Sequence, residues 1–167
     1  MKKSVKKEVK KYDICKKVLI FILCMVIVFI VALLGGLFTG PGVASSWYQE
    51  TRPAITPPNF VFPIAWTILF FLIGLSLFLS WIGSNKKNKK KIAVVFVINF
   101  VLNILWSVLY FGLRSPLLAF IEIIILWLSI LAMILVLWKI NKTAAWLLVP
   151  YIAWVTFAAV LTLLSVL

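Results

Sequence analysis

Five apolar runs, at roughly 18–38, 62–82, 92–111, 116–138 and 144–166, decide what this chain can fold into. Each is close to the ~20 residues an α-helix needs to cross a bilayer core. Inside lipid every backbone N–H and C=O must be satisfied by the chain itself, which leaves helices or a closed barrel. Period-two alternation is absent, so the barrel is out. Of the 167 residues, 65% are hydrophobic, where a soluble domain is nearer half. The expected fold is all-α, a five-transmembrane-helix bundle: a Lys-rich tail over 1–17, then one membrane domain over 18–167. The first run follows a basic segment, as a signal peptide would. It is too long for a signal h-region and no A-x-A site follows, so it reads as a retained span.

The formal net charge of +13 does not point to nucleic acid. The bases are lysines beside the spans. Lys2, Lys3, Lys6, Lys7, Lys10, Lys11, Lys16 and Lys17 precede the first run; Lys86, Lys87, Lys89, Lys90 and Lys91 lie between the second and third; Lys139 and Lys142 lie between the fourth and fifth. Only Arg52 and Arg114 occupy the alternate loops. The positive-inside rule turns that asymmetry into an orientation, with the N-terminus cytoplasmic and the C-terminus outside. The lysine tail suits contact with anionic membrane lipid.

The connection between the first two runs, Trp47 to Trp66, is unlike a simple polar loop. It carries Trp47, Tyr48, Phe60, Phe62 and Trp66 together with Pro53, Pro57, Pro58 and Pro63. Proline fixes φ and removes a donor, so the segment is stiff and loses little entropy on ordering. A stiff backbone loaded with aromatics suits a lid over a flat apolar ligand. The alternative for Trp47 and Tyr48 is an interfacial aromatic belt.

Polar groups within spans are costly and each needs an account. Asn99, Asn103 and Ser107 fall at i, i+4 and i+8, one stripe of the third span, with Trp106 beside Asn103. They read as interhelix hydrogen bonds or as cavity groups. Glu122 is the one acid expected within a span. It is read as approaching the interface or as facing the bundle, either protonated or paired with Arg114 or with the span-three asparagines; Ser129 shares its face and Trp127 lies to one side. Pro150 is expected to bend the fifth span. Trp81, Trp138 and Trp146 sit at span ends beside lysines and read as belt residues. Trp47, Trp66, Trp106, Trp127 and Trp154 remain as interior candidates. Gly36 and Gly40 form a GxxxG pair, either a helix contact face or, with the Pro-Gly that follows, a span end.

Histidine is absent, which removes the commonest general base, metal ligand and haem axial ligand. Cys15 and Cys24 have neither metal-site nor disulfide spacing. No metal site is expected, and no cofactor. No internal repeat is visible, which counts against an inverted-repeat transporter. Nothing resembles a conventional acid–base or nucleophilic centre.

Four segments occur together in order: WY…RP…PP…VFPIAWT from Trp47, LNILWSVLYFG at 102–112, LLAFIEIIILW at 117–127, and AWLLVPYIAWVTFA at 145–158. The pattern resembles the translocator protein family, also called TspO or tryptophan-rich sensory protein. The lid is one residue shorter than is usual there. The resemblance implies a prokaryotic plasma-membrane protein with a helix-bundle pocket under the first loop. Its ligand would be a porphyrin or related tetrapyrrole, or another planar apolar molecule, and a second copy of the chain is a candidate partner. It implies ligand-binding positions at Trp47, Tyr48, Pro53, Pro57, Pro58, Trp66, Asn103, Trp106, Glu122, Trp127, Pro150, Tyr151, Trp154 and Phe157. A sensor or regulator is the first reading. The second is an enzyme that degrades protoporphyrin in light, with Trp66 and Trp154 as the catalytic pair. The third, a sterol or lipid carrier, is disfavoured: the chain ends LTLLSVL, and Thr162 stands where the family usually has Asn.

Overall fold

The computed structural model describes residues 2–167, with side chains described from Asp13 onward. The lysines at 2, 3, 6, 7, 10 and 11 therefore lie outside the described side chains. The chain forms α1 (Lys2–Val43), α2 (Ser46–Thr51), α3 (Val61–Trp81), α4 (Lys86–Ser107), a π turn (Val108–Gly112), α5 (Pro116–Trp138), α6 (Lys142–Trp146) and α7 (Val149–Leu164). No strand occurs among the described residues. Five segments are long and apolar enough to cross a membrane: Asp13–Val43, Val61–Trp81, Lys86–Gly112, Pro116–Trp138 and Lys142–Leu164.

The five spans close into a ring. α1 packs on α3 and α4, α5 on α4 and α7, and α3 completes the circuit through α6 and α7. The core beneath the ring is built from side chains such as Val28, Ile73, Phe96, Ile130 and Met133, all 1% exposed or less. Polar caps fix the helix starts. Asn85 accepts from Asn88 N at 2.9 Å to open α4, and Asn141 accepts from Ala144 N at 3.2 Å to open α6. Asn141 also donates to Leu79 O at 3.0 Å, and Ser76 to Ala144 O at 2.7 Å, which ties α6 to α3. At this lysine-rich end Lys89 lies over Trp81 at 5.5 Å and Lys142 over Trp138 at 5.9 Å, as belt residues would.

Three elements depart from the sequence reading. α1 does not stop near residue 38: it carries Pro41 within it and runs to Val43. The third span ends in a π turn, with Leu113 N bonded to Val108 O at 2.8 Å. The fifth span is not one bent helix. It breaks at Leu147–Leu148, and Pro150 stands in the first turn of α7, where its missing N–H costs no helical bond.

Candidate functional site

A cavity of about 550 Å³ occupies the ring at the end away from the lysines, beneath the α1–α3 loop. Its walls come from α1, α3, α4 with the π turn, α5 and α7, and its roof from Tyr48, Pro53, Thr56 and Asn59. The π turn explains much of its aromatic wall. One extra residue per turn swings both Tyr110 and Phe111 inward, 4% and 9% exposed. Trp106 stacks on Tyr110 with centroids 5.2 Å apart and planes 15° apart, and meets Phe111 edge-on at 5.9 Å.

α2 is held onto this cluster. Ser45 caps it by accepting from Tyr48 N at 3.3 Å. Trp47 then packs edge-on against Tyr110 at 5.6 Å and Tyr48 against Phe111 at 5.6 Å. Gly42 is required where α1 passes the π turn, because a Cβ there would collide with the Phe111 ring. Burial pushes the Tyr48 phenol above its ordinary range; Tyr110 adds to the shift and Arg52 opposes it. Across the cavity a second aromatic group forms. Trp66 lies 5.4 Å from Phe70 and 6.2 Å from Tyr151, and Phe62 meets Trp154 edge-on at 6.1 Å.

The polar stripe of the third span becomes a directed chain. Asn103 donates to the Tyr151 hydroxyl at 3.0 Å, Tyr151 to Asn99 Oδ1 at 3.3 Å, Asn99 to Ser129 Oγ at 2.9 Å, and Ser129 to Leu126 O at 2.7 Å. Each link donates to the next, so the chain fixes the Asn103 amide at the cavity wall. Ser107, also on the wall, accepts from Thr39 Oγ1 at 3.3 Å.

Of the ligand-binding positions that the family resemblance implies, Tyr48, Pro53, Trp66, Asn103, Trp106 and Trp154 meet around this cavity. The others lie off its wall. Trp47, Pro57 and Pro58 belong to the loop above. Tyr151 is fully buried behind Asn103, and Pro150 precedes it in the first turn of α7. Phe157 packs on Trp154 at 5.7 Å. Trp127 donates to Thr156 Oγ1 at 2.8 Å and so joins α5 to α7. Glu122 is 4% exposed and lies one residue from Ile123 of the wall. Among the described residues neither of its carboxyl oxygens has a hydrogen-bond partner, contrary to the pairing read from sequence. The asparagines that could have met it are engaged with Tyr151 and Ser129 instead. Trp106 Nε1 and Thr56 Oγ1 are likewise buried without a partner.

Sequence reasoning missed the α1 wall. Gly35, Gly36, Thr39 and Gly40 all line the cavity. Gly36 and Gly40 do not form a contact face with another helix of the same chain, since a Cβ at either would meet nothing within 4 Å. The signal was the GGLFTGPG run itself: small residues leave room, but periodicity alone does not say for what.

A sequence model of the TspO/MBR family matches residues 23–166. A tryptophan-rich protein TspO of Chlorobaculum tepidum is 39% identical over 150 residues, covering 87% of this chain and 93% of the relative. Another, of Archaeoglobus fulgidus, is 38% identical over 128 residues, covering 76% and 82%. The translocator protein of Ovis aries is 28% identical over 123 residues, covering 72% and 73%. With five spans and a family match over most of its length, the chain belongs to the TspO/MBR family of multi-pass membrane proteins.

Proposed function

We propose that this protein is a membrane sensor or regulator that binds a tetrapyrrole in the cavity under the α1–α3 loop, with its N-terminus in the cytoplasm. The observation that carries the reading is the cavity's composition. Trp66, Trp106 and Trp154 reach it from three different spans, and Asn103 stands among apolar neighbours on its wall. A flat ring gains by stacking on indole faces, while one oriented amide selects among ring edges. The volume of about 550 Å³ falls within the ~300–1,000 Å³ of small-molecule sites. Among the described residues no His, Cys or Met lines the cavity, so recognition rests on ring face and edge and favours the metal-free porphyrin.

A second reading is light-driven porphyrin breakdown. The wall residues Trp66 and Trp154 come from different spans, and indole is readily oxidised by an excited ring held against it. One experiment separates the two. Purified protein in lipid discs is titrated with protoporphyrin in darkness and then illuminated. Saturable dark binding with a stable absorbance under light is the expected result for the sensor. Light-dependent loss of absorbance that disappears when Trp66 and Trp154 are both changed to Phe favours the enzyme. Absence of saturable dark binding overturns both.

A further inference from the structure

The cavity is not sealed on all sides. Tyr110, Leu126, Val155 and Thr162 of its wall are buried, but one strip is not. On α1, Phe29, Leu33, Gly36 and Gly40 line the cavity and are also exposed, Leu33 by 70%. Their i, i+4, i+7, i+11 spacing puts them along one helix face. On α3, Pro63 and Thr67 have the same double character one turn apart.

The strip is framed. Towards the lysine-rich end the two helices are pinned together: Phe21 meets Phe78 edge-on at 5.2 Å, and a Cβ on Gly74 would stand 2.8 Å from Met25 Sδ. At the other end the loop joins them, held down by Trp47 on Tyr110 and Tyr48 on Phe111. Between these limits a Cβ at Gly36 or Gly40 would meet nothing within 4 Å, so α1 offers no side chain there to block the gap. From Phe29 to Gly40 the opening runs about 16 Å at the rise of an α-helix. That is about half of a ~30 Å hydrocarbon core. The exposed neighbours are Leu37, Ile64 and Ile68, at 68%, 57% and 56%, an apolar rim that suits contact with acyl chains.

We infer that the cavity is loaded sideways from the bilayer: a planar apolar ligand dissolved among the acyl chains enters between α1 and α3. The water-facing route would require the anchored aromatic loop to lift, whereas the lateral route has no side chain to displace at Gly36 and Gly40. The ligand class rests on the binding reading above; the window itself does not.

The test uses the full chain in vesicles, with two readouts. In the first, the lipid carries brominated chains, which quench tryptophan emission on contact. Wild type should show quenching that Gly36→Leu with Gly40→Leu loses, namely the share belonging to Trp66, Trp106 and Trp154. Thr67→Leu, which narrows the window from the α3 side, should act in the same direction and serves if the glycine variant fails to fold. In the second, protoporphyrin is delivered from vesicles. Its binding rate in wild type should follow the porphyrin-to-lipid ratio. In the filled-window variants both association and dissociation should slow by about tenfold or more, because side chains must now move for passage. Unchanged quenching together with unchanged rates overturns the inference, whether because the gap is closed or because a second copy covers it. Loss of quenching with no porphyrin binding at all leaves the window standing and removes the tetrapyrrole reading.

Discussion

At the scale of single residues, the Tyr151 hydroxyl and the Glu122 carboxyl show how differently buried polar groups can be treated in one bundle. The Tyr151 hydroxyl joins Asn103 to Asn99 and so connects α4 to α7. Changing Tyr151 to Phe keeps the ring and strands two amides. The expected cost is about 1–2 kcal/mol, the membrane setting holding it below the upper range for soluble cores. Thermal unfolding in detergent reads it, and an unchanged midpoint would show that the amides find other partners. Glu122 is the reverse case, a buried carboxyl with no hydrogen bond. Glu122→Gln should be neutral, and Glu122→Leu should be as stable as wild type or more so, because no partner is stranded. A large loss in the Leu variant would mean that the carboxyl is partnered after all. The sequence exposed both residues as candidates, since polar groups inside spans stand out. It could not show which amide meets which hydroxyl, because that depends on helix rotation. Asn99 and Asn103 could face Glu122 or Tyr151 equally well until α5 and α7 are placed.

At the scale of elements, apolar run length located all five spans, because the bilayer fixes how much helix must be apolar. The departures lie where local backbone chemistry competes with that rule. The π turn at Val108–Gly112 leaves no trace in hydropathy, yet it turns Tyr110 and Phe111 inward and builds the floor on which α2 rests. Pro150 signalled a disturbance in the fifth span, but hydropathy could not distinguish a bend from the break at Leu147–Leu148. The loop was legible in its proline content. Pro53 does reach the cavity, while Pro57 and Pro58 serve only as its frame. Changing Pro57 and Pro58 together to Ala should therefore weaken porphyrin affinity by loosening the roof while leaving the thermal midpoint close to wild type. Equal affinity in the double variant would make the loop a connector and nothing more.

At the scale of the whole molecule, charge and cavity define opposite ends. The described lysines gather at one end of the ring, where Trp81 and Trp138 lie under Lys89 and Lys142, and the cavity opens at the other. With the cytoplasmic N-terminus proposed above, the cavity would lie in the leaflet away from the cytoplasm. Reporter fusions after Lys91 and after Leu167 should fall on opposite sides of the membrane, the first cytoplasmic; a cytoplasmic C-terminus would contradict the orientation. The central claim is that the cavity is where a tetrapyrrole binds, and filling it tests that most directly. Ala158 on α7 lines the cavity, whereas Leu135 on α5 is 59% exposed on the lipid face. Dark protoporphyrin titrations of wild type, Ala158→Phe and Leu135→Phe should be run on proteins of matched thermal midpoint. The account predicts a loss of about tenfold or more in affinity for Ala158→Phe, a difference of ~1.4 kcal/mol, and no change for Leu135→Phe. Equal affinity in all three proteins would contradict it.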